Sequence, residues 1–196
     1  MLTIQSIGAS LPPAPQALLV TSGNALAGIP ASLHGMPLLA VGGRTAARAL
    51  AAGFTTVHSA DGDAGDLAAR VPALFDPGAG PLLLASGRGQ GRALATALRQ
   101  AGFRVQRRVV YAAVPVRRFP PSAAAALRDG VHACLFLSAE TARVFAHLLP
   151  RSLASALSCS DALAIGEDAA HALRGLPFAA VRVSVRPTLD GVLALL

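Results

Sequence analysis

Six clusters of small or polar residues follow short apolar runs in this sequence, and they are where it could grip an anion. They are Thr21, Ser22, Gly23 and Asn24; Gly42, Gly43, Arg44 and Thr45; Ser86, Gly87, Arg88 and Gly89; Ser138, Ala139 and Glu140; Gly166, Glu167 and Asp168; and Pro187 with Thr188. A short apolar run ending this way reads as a parallel strand feeding a helix, whose first N–H groups have no partner inside it. Small side chains let a carboxylate or phosphate approach those groups. Any one cluster is equally what a strand-to-helix turn uses for structure alone; six of them on facing domains make the better case for binding. Tyr111, the sole tyrosine, adds a phenolic donor in a stretch that reads as a connector between domains; its alternative is a packed edge-strand aromatic.

Other chemistries find no matching pattern. His34, His58, His132, His147 and His171 lack ligand spacing, and Cys134 and Cys159 do not join them, so no metal site is expected. Neither a G-x-S-x-G elbow nor a G-x-x-x-x-G-K-[ST] loop is present. Gly87, Gly89 and Gly91 follow a strand and open a helix like a dinucleotide fingerprint, but the third glycine comes too early for one. No cofactor is implied.

The elements that must position these residues are organised around residues 38–54, LLAVGGRTAARALAAGF. The apolar run 38–41 is too short for a helix, Gly42 and Gly43 permit a tight turn, and Thr45 leads a helix with Ala46, Ala49, Leu50 and Gly53 on one face. The phrase returns at residues 162–175 as ALAIGEDAAHALRG, and ALLVTSGNALAGI is echoed by ACLFLSAETARVF. The chain therefore contains a duplicated strand–helix module. In order, residues 2–7 alternate like a half-exposed strand, and a proline-rich break at residues 10–15 follows. Then come a strand at 17–21 with a short helix, the organising unit, a strand at 55–58 and a helix at 64–75. A strand at 82–85, a helix ending at Gly102 and a long basic alternation over 105–116 complete the first copy. The second copy has a helix near 122–128, its two strand–helix units, a strand at 180–183 and a closing helix from Leu189. Two similar α/β domains with largely parallel sheets, joined by two extended connectors, follow from this order. The expected boundaries are 1–8 connector, 9–106 first domain, 107–118 connector and 119–196 second domain.

Composition bounds the function. With 196 residues, 53% hydrophobic and 14% charged, the chain can bury a sizeable core of small side chains, since only eight residues are aromatic. No apolar run reaches the roughly 20 residues a membrane span needs, and the start lacks a signal-peptide pattern, so a cytoplasmic protein without membrane contact is expected. The two cysteines are expected as buried free thiols. A net charge of +7, carried by arginine, suits polyanionic partners, although a genome's preference for arginine gives the same balance. The arginines are scattered mostly singly and without aromatic neighbours, which argues against nucleic acid.

Taken together, LLVTSGNAL, LLAVGGRTAARALAAGF, RVVYAAV, ACLFLSAETARVF, ALAIGEDAAHAL and RPTLDGVLAL resemble the uroporphyrinogen-III synthase family, two HemD-like (flavodoxin-like) α/β domains on a two-stranded ladder. The resemblance implies a cofactor-free, monomeric lyase acting on hydroxymethylbilane, a linear tetrapyrrole with eight carboxylates. It implies loss of the terminal hydroxyl as water, attack at the substituted carbon of ring D to a spirocyclic intermediate, and reclosure with ring D inverted. The binding residues it implies are Thr21, Ser22, Asn24, Gly42, Gly43, Arg44, Thr45, Ser86, Gly87, Arg88, Ser138, Ala139, Gly166 and Thr188, with Tyr111 at the family's tyrosine position as donor. The sequence departs from the family pattern in two places. The family's first strand and helix have no counterpart ahead of Met1, so the second domain is expected to be incomplete. Glu167, Asp168 and Ala169 stand where the family has a proline and threonines, which shifts the expected binding toward Arg44 and Thr45. A non-catalytic tetrapyrrole- or anion-binding protein is the alternative, and a nucleic-acid binder a distant third.

Overall fold

Four consecutive residues of the first buried strand, Ala17–Val20, are wholly shielded from water, as an apolar run flanked by turn residues requires when it lies between two other strands. The structure is a computed structural model that describes residues 1–11 and 14–196. Part of the break expected at residues 10–15 falls on Pro12 and Pro13, outside the described residues. The chain divides into two units, one of Ile4–Ala113 and one of Met1–Thr3 with Val114–Leu196.

The strands of the first sheet are β1 (Leu2–Ser6), β2 (Ala17–Val20), β3 (Leu38–Ala40), β4 (Val57–Ser59), β5 (Leu82–Gly87) and β6 (Val105–Pro115). Their spatial order is β1-β6-β5-β2-β3-β4. β2 pairs in parallel with β3 and β5, β3 with β4, and β5 with β6. Helices α1 (Gly43–Ala51), α2 (Ala64–Leu74) and α3 (Arg92–Gln100) are the crossovers. One face of the sheet packs Leu18, Val20, Leu38 and Leu83 with Ile29, Ala49, Phe54 and Tyr111; the other packs Leu19, Leu39, Leu82 and Leu84 with Leu67, Val71 and Leu98. Each fully buried leucine contributes about 1.5–3 kcal/mol by leaving water.

Two sequence expectations are corrected here. The helix of the organising unit starts at Gly43, not Thr45, because Gly42 is the extended N-cap. Leu50 does not share the buried face with Ala49; it is 56% exposed, since one residue beyond Ala49 is rotated by about 100° around the helix. The short helix expected after β2 is a six-residue 3-10 helix, Gly23–Gly28, closed by Ile29 and then Pro30.

The second unit contains α4 (Pro121–Asp129), β7 (Ala133–Phe136), α5 (Ala139–Leu148), β8 (Asp161–Ala164), α6 (Glu167–His171), β9 (Ala180–Val183) and α7 (Leu189–Leu193). Its sheet, β7-β8-β9, is parallel throughout and repeats the β2-β3-β4 order, so the sequence duplication is a duplication of structure. Its core is more aromatic: Phe136, Phe145 and Phe178 meet with ring centroids 5.1 to 6.2 Å apart. Strand β7 is an edge, and Leu135 and its neighbour Leu137 are 37% and 45% exposed. Cys134 is half-buried, but Cys159 is exposed, against the expectation for both thiols; it ends a 3-10 helix, Arg151–Cys159, whose buried face belongs to Leu153 and Leu157.

Candidate functional site

Parallel strands deliver their carboxyl ends, and the helix starts that follow, to one edge of each sheet. In the Ile4–Ala113 unit those starts differ in what they leave open. The 3-10 helix is capped by Ser22, whose Oγ accepts from the Asn24 N–H at 3.3 Å. α2 closes its own N-terminus with a capping box: Asp63 Oδ1 accepts from Gly65 at 2.6 Å, and Asp66 accepts from the Asp63 N–H at 2.8 Å. By contrast α1 and α3 begin on glycines, Gly42 and Gly91, with no side-chain cap and no acid in the first turn. Their first residues include Arg44 and Arg92 instead. Two nine-residue helices thus present uncapped N–H groups beside a guanidinium, the arrangement that favours an anion.

A cavity of about 440 Å³ lies at the start of α1, lined by Val41, Gly42, Gly43, Arg44, Thr45, Asp61 and Gly62. Asp61 is its one acid. The residue is held with φ +54°, its carboxylate accepting from Ser59 Oγ at 2.6 Å while its N–H donates to that same oxygen at 3.2 Å. This carboxylate, 3.9 Å from where a Cβ on Gly43 would stand, offsets part of the positive field of Arg44 and the helix. Nearby, at the end of β2, the Arg48 guanidinium covers Gly23.

At the end of β5 the chain is tighter. Ser86 is 1% exposed; its hydroxyl accepts from Arg107 Nη1 at 3.1 Å and donates to the Arg108 carbonyl at 3.4 Å. The Tyr111 ring lies across Gly87, so that a Cβ there would come within 2.9 Å of the hydroxyl. Tyr111 is 4% exposed and donates to Gln90 Oε1 at 2.8 Å. It sits in β6, which pairs with β5 as far as Tyr111 itself.

The other unit treats its helix starts differently. Ser138 caps α5, accepting from the Thr141 N–H at 3.1 Å and donating to Thr141 Oγ1 at 2.9 Å. Thr188 Oγ1 accepts from Gly191 at the start of α7. Each of its helices that follows a strand carries an acid in the first turn: Glu140 in α5, Glu167 and Asp168 in α6, Asp190 in α7. A cavity of about 370 Å³, lined by Ala139, Ile165, Gly166, Glu167, Asp168, Ala169 and Pro187, is therefore an acidic one. Glu140 and Glu167 pair with Arg143 and Arg174 at 3.3 and 3.5 Å, all four exposed, where such pairs contribute little.

The model of the family described as uroporphyrinogen-III synthase HemD matches residues 3–194. The chain belongs to that family. No match was found among curated proteins. Among solved structures, uroporphyrinogen-III synthetase from Helicobacter pylori superposes with a TM-score of 0.61 at 20% identity, over 99% of this chain and 88% of that one. A mutant uroporphyrinogen III synthase from the extremely thermophilic bacterium Thermus thermophilus gives a TM-score of 0.48 at 22% identity, over 98% of this chain and 84% of that one. The two-domain α/β fold of the synthase family is thus the fold of this chain.

Of the expected site residues, the structure brings Gly42, Gly43, Arg44 and Thr45 to one cavity, and Gly87, Arg88 and Tyr111 to one turn, where the Arg88 N–H donates to the Tyr111 carbonyl at 2.9 Å. It buries Ser86 and uses Ser22, Ser138 and Thr188 as caps. Thr21, Ser22 and Asn24 lie at the end of β2, and Ala139 and Gly166 line the acidic cavity. Sequence reasoning missed Asp61, Arg48, Gln90 and Arg92. A signal for Arg92 was present, one residue after the glycine that opens a helix; the others are set by contacts between elements. Among the described residues no three His, Cys, Asp or Glu side chains gather as a metal site, and no helix is long and apolar enough to cross a membrane.

Proposed function

We propose that the chain is a monomeric, cytoplasmic uroporphyrinogen-III synthase that cyclises hydroxymethylbilane with inversion of ring D and release of water, a hydro-lyase reaction. The observation that carries this reading is the family match across nearly the whole chain, and the uncapped, arginine-flanked starts of α1 and α3 support it. They suit acetate and propionate side chains, which the backbone N–H groups and Arg44 and Arg92 would hold.

The reaction needs little covalent help. The pyrrole nitrogen lone pair of ring A expels the hydroxymethyl oxygen, and a donor proton converts that oxygen to water. The cationic carbon is attacked by the substituted position of ring D to give the spirocycle. Fragmentation and reclosure at the free carbon then invert the ring, and the proton lost on rearomatisation returns to the donor. Tyr111 is the donor in this reading, reached through the Gly87 turn. Because the bilane also closes unaided to the uninverted isomer, the protein's main contribution is orientation, worth effective molarities on the order of 10⁵ M.

The acids at the helix starts of the Val114–Leu196 segment oppose a substrate carboxylate there, which leaves a second reading, a non-catalytic tetrapyrrole- or anion-binding protein that holds its ligand at the α1 and α3 starts alone. One experiment separates the two: incubate the purified chain with fresh hydroxymethylbilane, oxidise, and resolve the isomers by chromatography. An excess of type III is expected; type I alone at the spontaneous rate overturns the synthase reading.

A further inference from the structure

We propose that Gln90 is the positioning residue for Tyr111, switching the phenol between a held and a released proton by turning its carboxamide. The proposal rests on Tyr111 being the donor. Gln90 stands between Gly89 and Gly91, both left-handed, at φ +78° and +77°, so the turn accepts a side chain only at its centre. The backbone of Gln90 is fixed on both sides: its N–H donates to the Gly87 carbonyl at 3.0 Å, and its carbonyl accepts from Arg107 Nη1 at 2.9 Å. That guanidinium also holds Ser86, tying β5, β6 and the turn into one frame. The Gln90 side chain beyond it is exposed and free to turn, and the last torsion of its carboxamide has two wells half a turn apart.

In the conformation observed, Tyr111 donates its proton to Gln90 Oε1 at 2.8 Å, and a proton so engaged is not available to a leaving hydroxyl. Rotating the carboxamide exchanges Oε1 for Nε2 at nearly the same point. The Nε2–H then donates to the phenolic oxygen, and the phenol's own O–H is free to point at the substrate. When the substrate C–O bond breaks, its electron pair leaves with the oxygen, the phenol's proton completes water, and the charge left on the phenolate meets an N–H donor. An amide offers both partners from a fixed backbone. A carboxylate offers only the acceptor.

Tyr111 is the only tyrosine and the chain has no tryptophan, so near-ultraviolet absorbance of tyrosinate reads this phenol alone. The test compares wild type, Gln90→Glu and Gln90→Leu by tyrosinate titration and by isomer-resolved kinetics, with Tyr111→Phe alongside. Gln90→Glu is expected to raise the pH midpoint by about one unit or more relative to wild type, as a neighbouring anion does, and to lower kcat about 10–100-fold; its KM rises as well, because the new carboxylate stands beside the α3 start, so the kcat effect at unchanged KM is read from Gln90→Leu. Gln90→Leu, which neither holds nor releases the proton, is expected to fall between the two in both readouts. An unmoved titration midpoint in Gln90→Glu, or a moved one with wild-type kcat, overturns the proposal. If Tyr111→Phe itself keeps wild-type kcat, it is the donor reading that fails; if Tyr111→Phe is slow and both Gln90 variants are not, Gln90 alone is wrong.

Discussion

The guanidinium of Arg48 lies against Gly23 so closely that a Cβ on residue 23 would come 2.6 Å from Nη1. A side chain on the residue after β2 and its cap would therefore meet a cation from the following module. Gly23→Ala would push aside only the far end of a flexible side chain, so stability should change by no more than about 0.5 kcal/mol. If Arg48 neutralises a substrate carboxylate, KM should rise several-fold with kcat unchanged. A thermal melt and steady-state kinetics on the same preparation check it, and a substantial loss of stability would show that Gly23 is fixed by something other than Arg48.

Asp61 makes the opposite prediction. Its carboxylate partly cancels the field at the start of α1, so Asp61→Asn should lower KM for an anionic substrate, most clearly at low salt, with the gain fading as ionic strength rises. Asparagine tolerates the left-handed backbone at this position. The loss of a helix-dipole contact is therefore the main cost, about 0.3–1 kcal/mol. A KM that is unchanged or higher at low salt would mean that no substrate carboxylate visits this cavity.

How far the sequence could be read follows from the range of each interaction. The duplicated pattern located β9 at residues 180–183 and the start of α7 at Leu189, because short apolar runs and capping residues are local signals. The binding turns were legible as positions, yet not in their electrostatics. Asp61 reaches the α1 start from the turn after β4, Arg48 reaches Gly23 across 25 positions, and Tyr111 reaches Gln90 across 21. Each depends on strand order and on the side-chain directions that it sets. Ser86 shows the same dependence: it has the composition of a ligand contact, and pairing with β6 places Arg107 and the Arg108 carbonyl on its hydroxyl.

Ser86→Ala should therefore act on stability, not on binding. Removing the hydroxyl strips the buried Arg107–Ser86 contact and leaves its partners under-satisfied, at a cost of about 1–3 kcal/mol. Denaturant unfolding should show that loss while KM stays within about twofold of wild type. A rise in KM at unchanged stability would restore Ser86 to the substrate contacts.

The two cysteines give a prediction that separates burial from chemistry. Cys159 is exposed and Cys134 half-buried in β7, and burial pushes the Cys134 thiol above its ordinary range. A thiol reagent near neutral pH should modify Cys159 quickly and Cys134 slowly, so that labelling proceeds in two phases that Cys159→Ser reduces to the slow one. The same shift fixes a sign for stability. Below the ordinary thiol pKa both folded and unfolded chains carry the neutral thiol, and Cys134 adds no pH dependence. As pH rises past that value the unfolded chain ionises first, so the contribution of Cys134 to stability is lost between the unfolded and the raised folded pKa. Cys134→Ala should flatten that alkaline decline in an unfolding series, and an identical decline in both proteins would assign it to other groups.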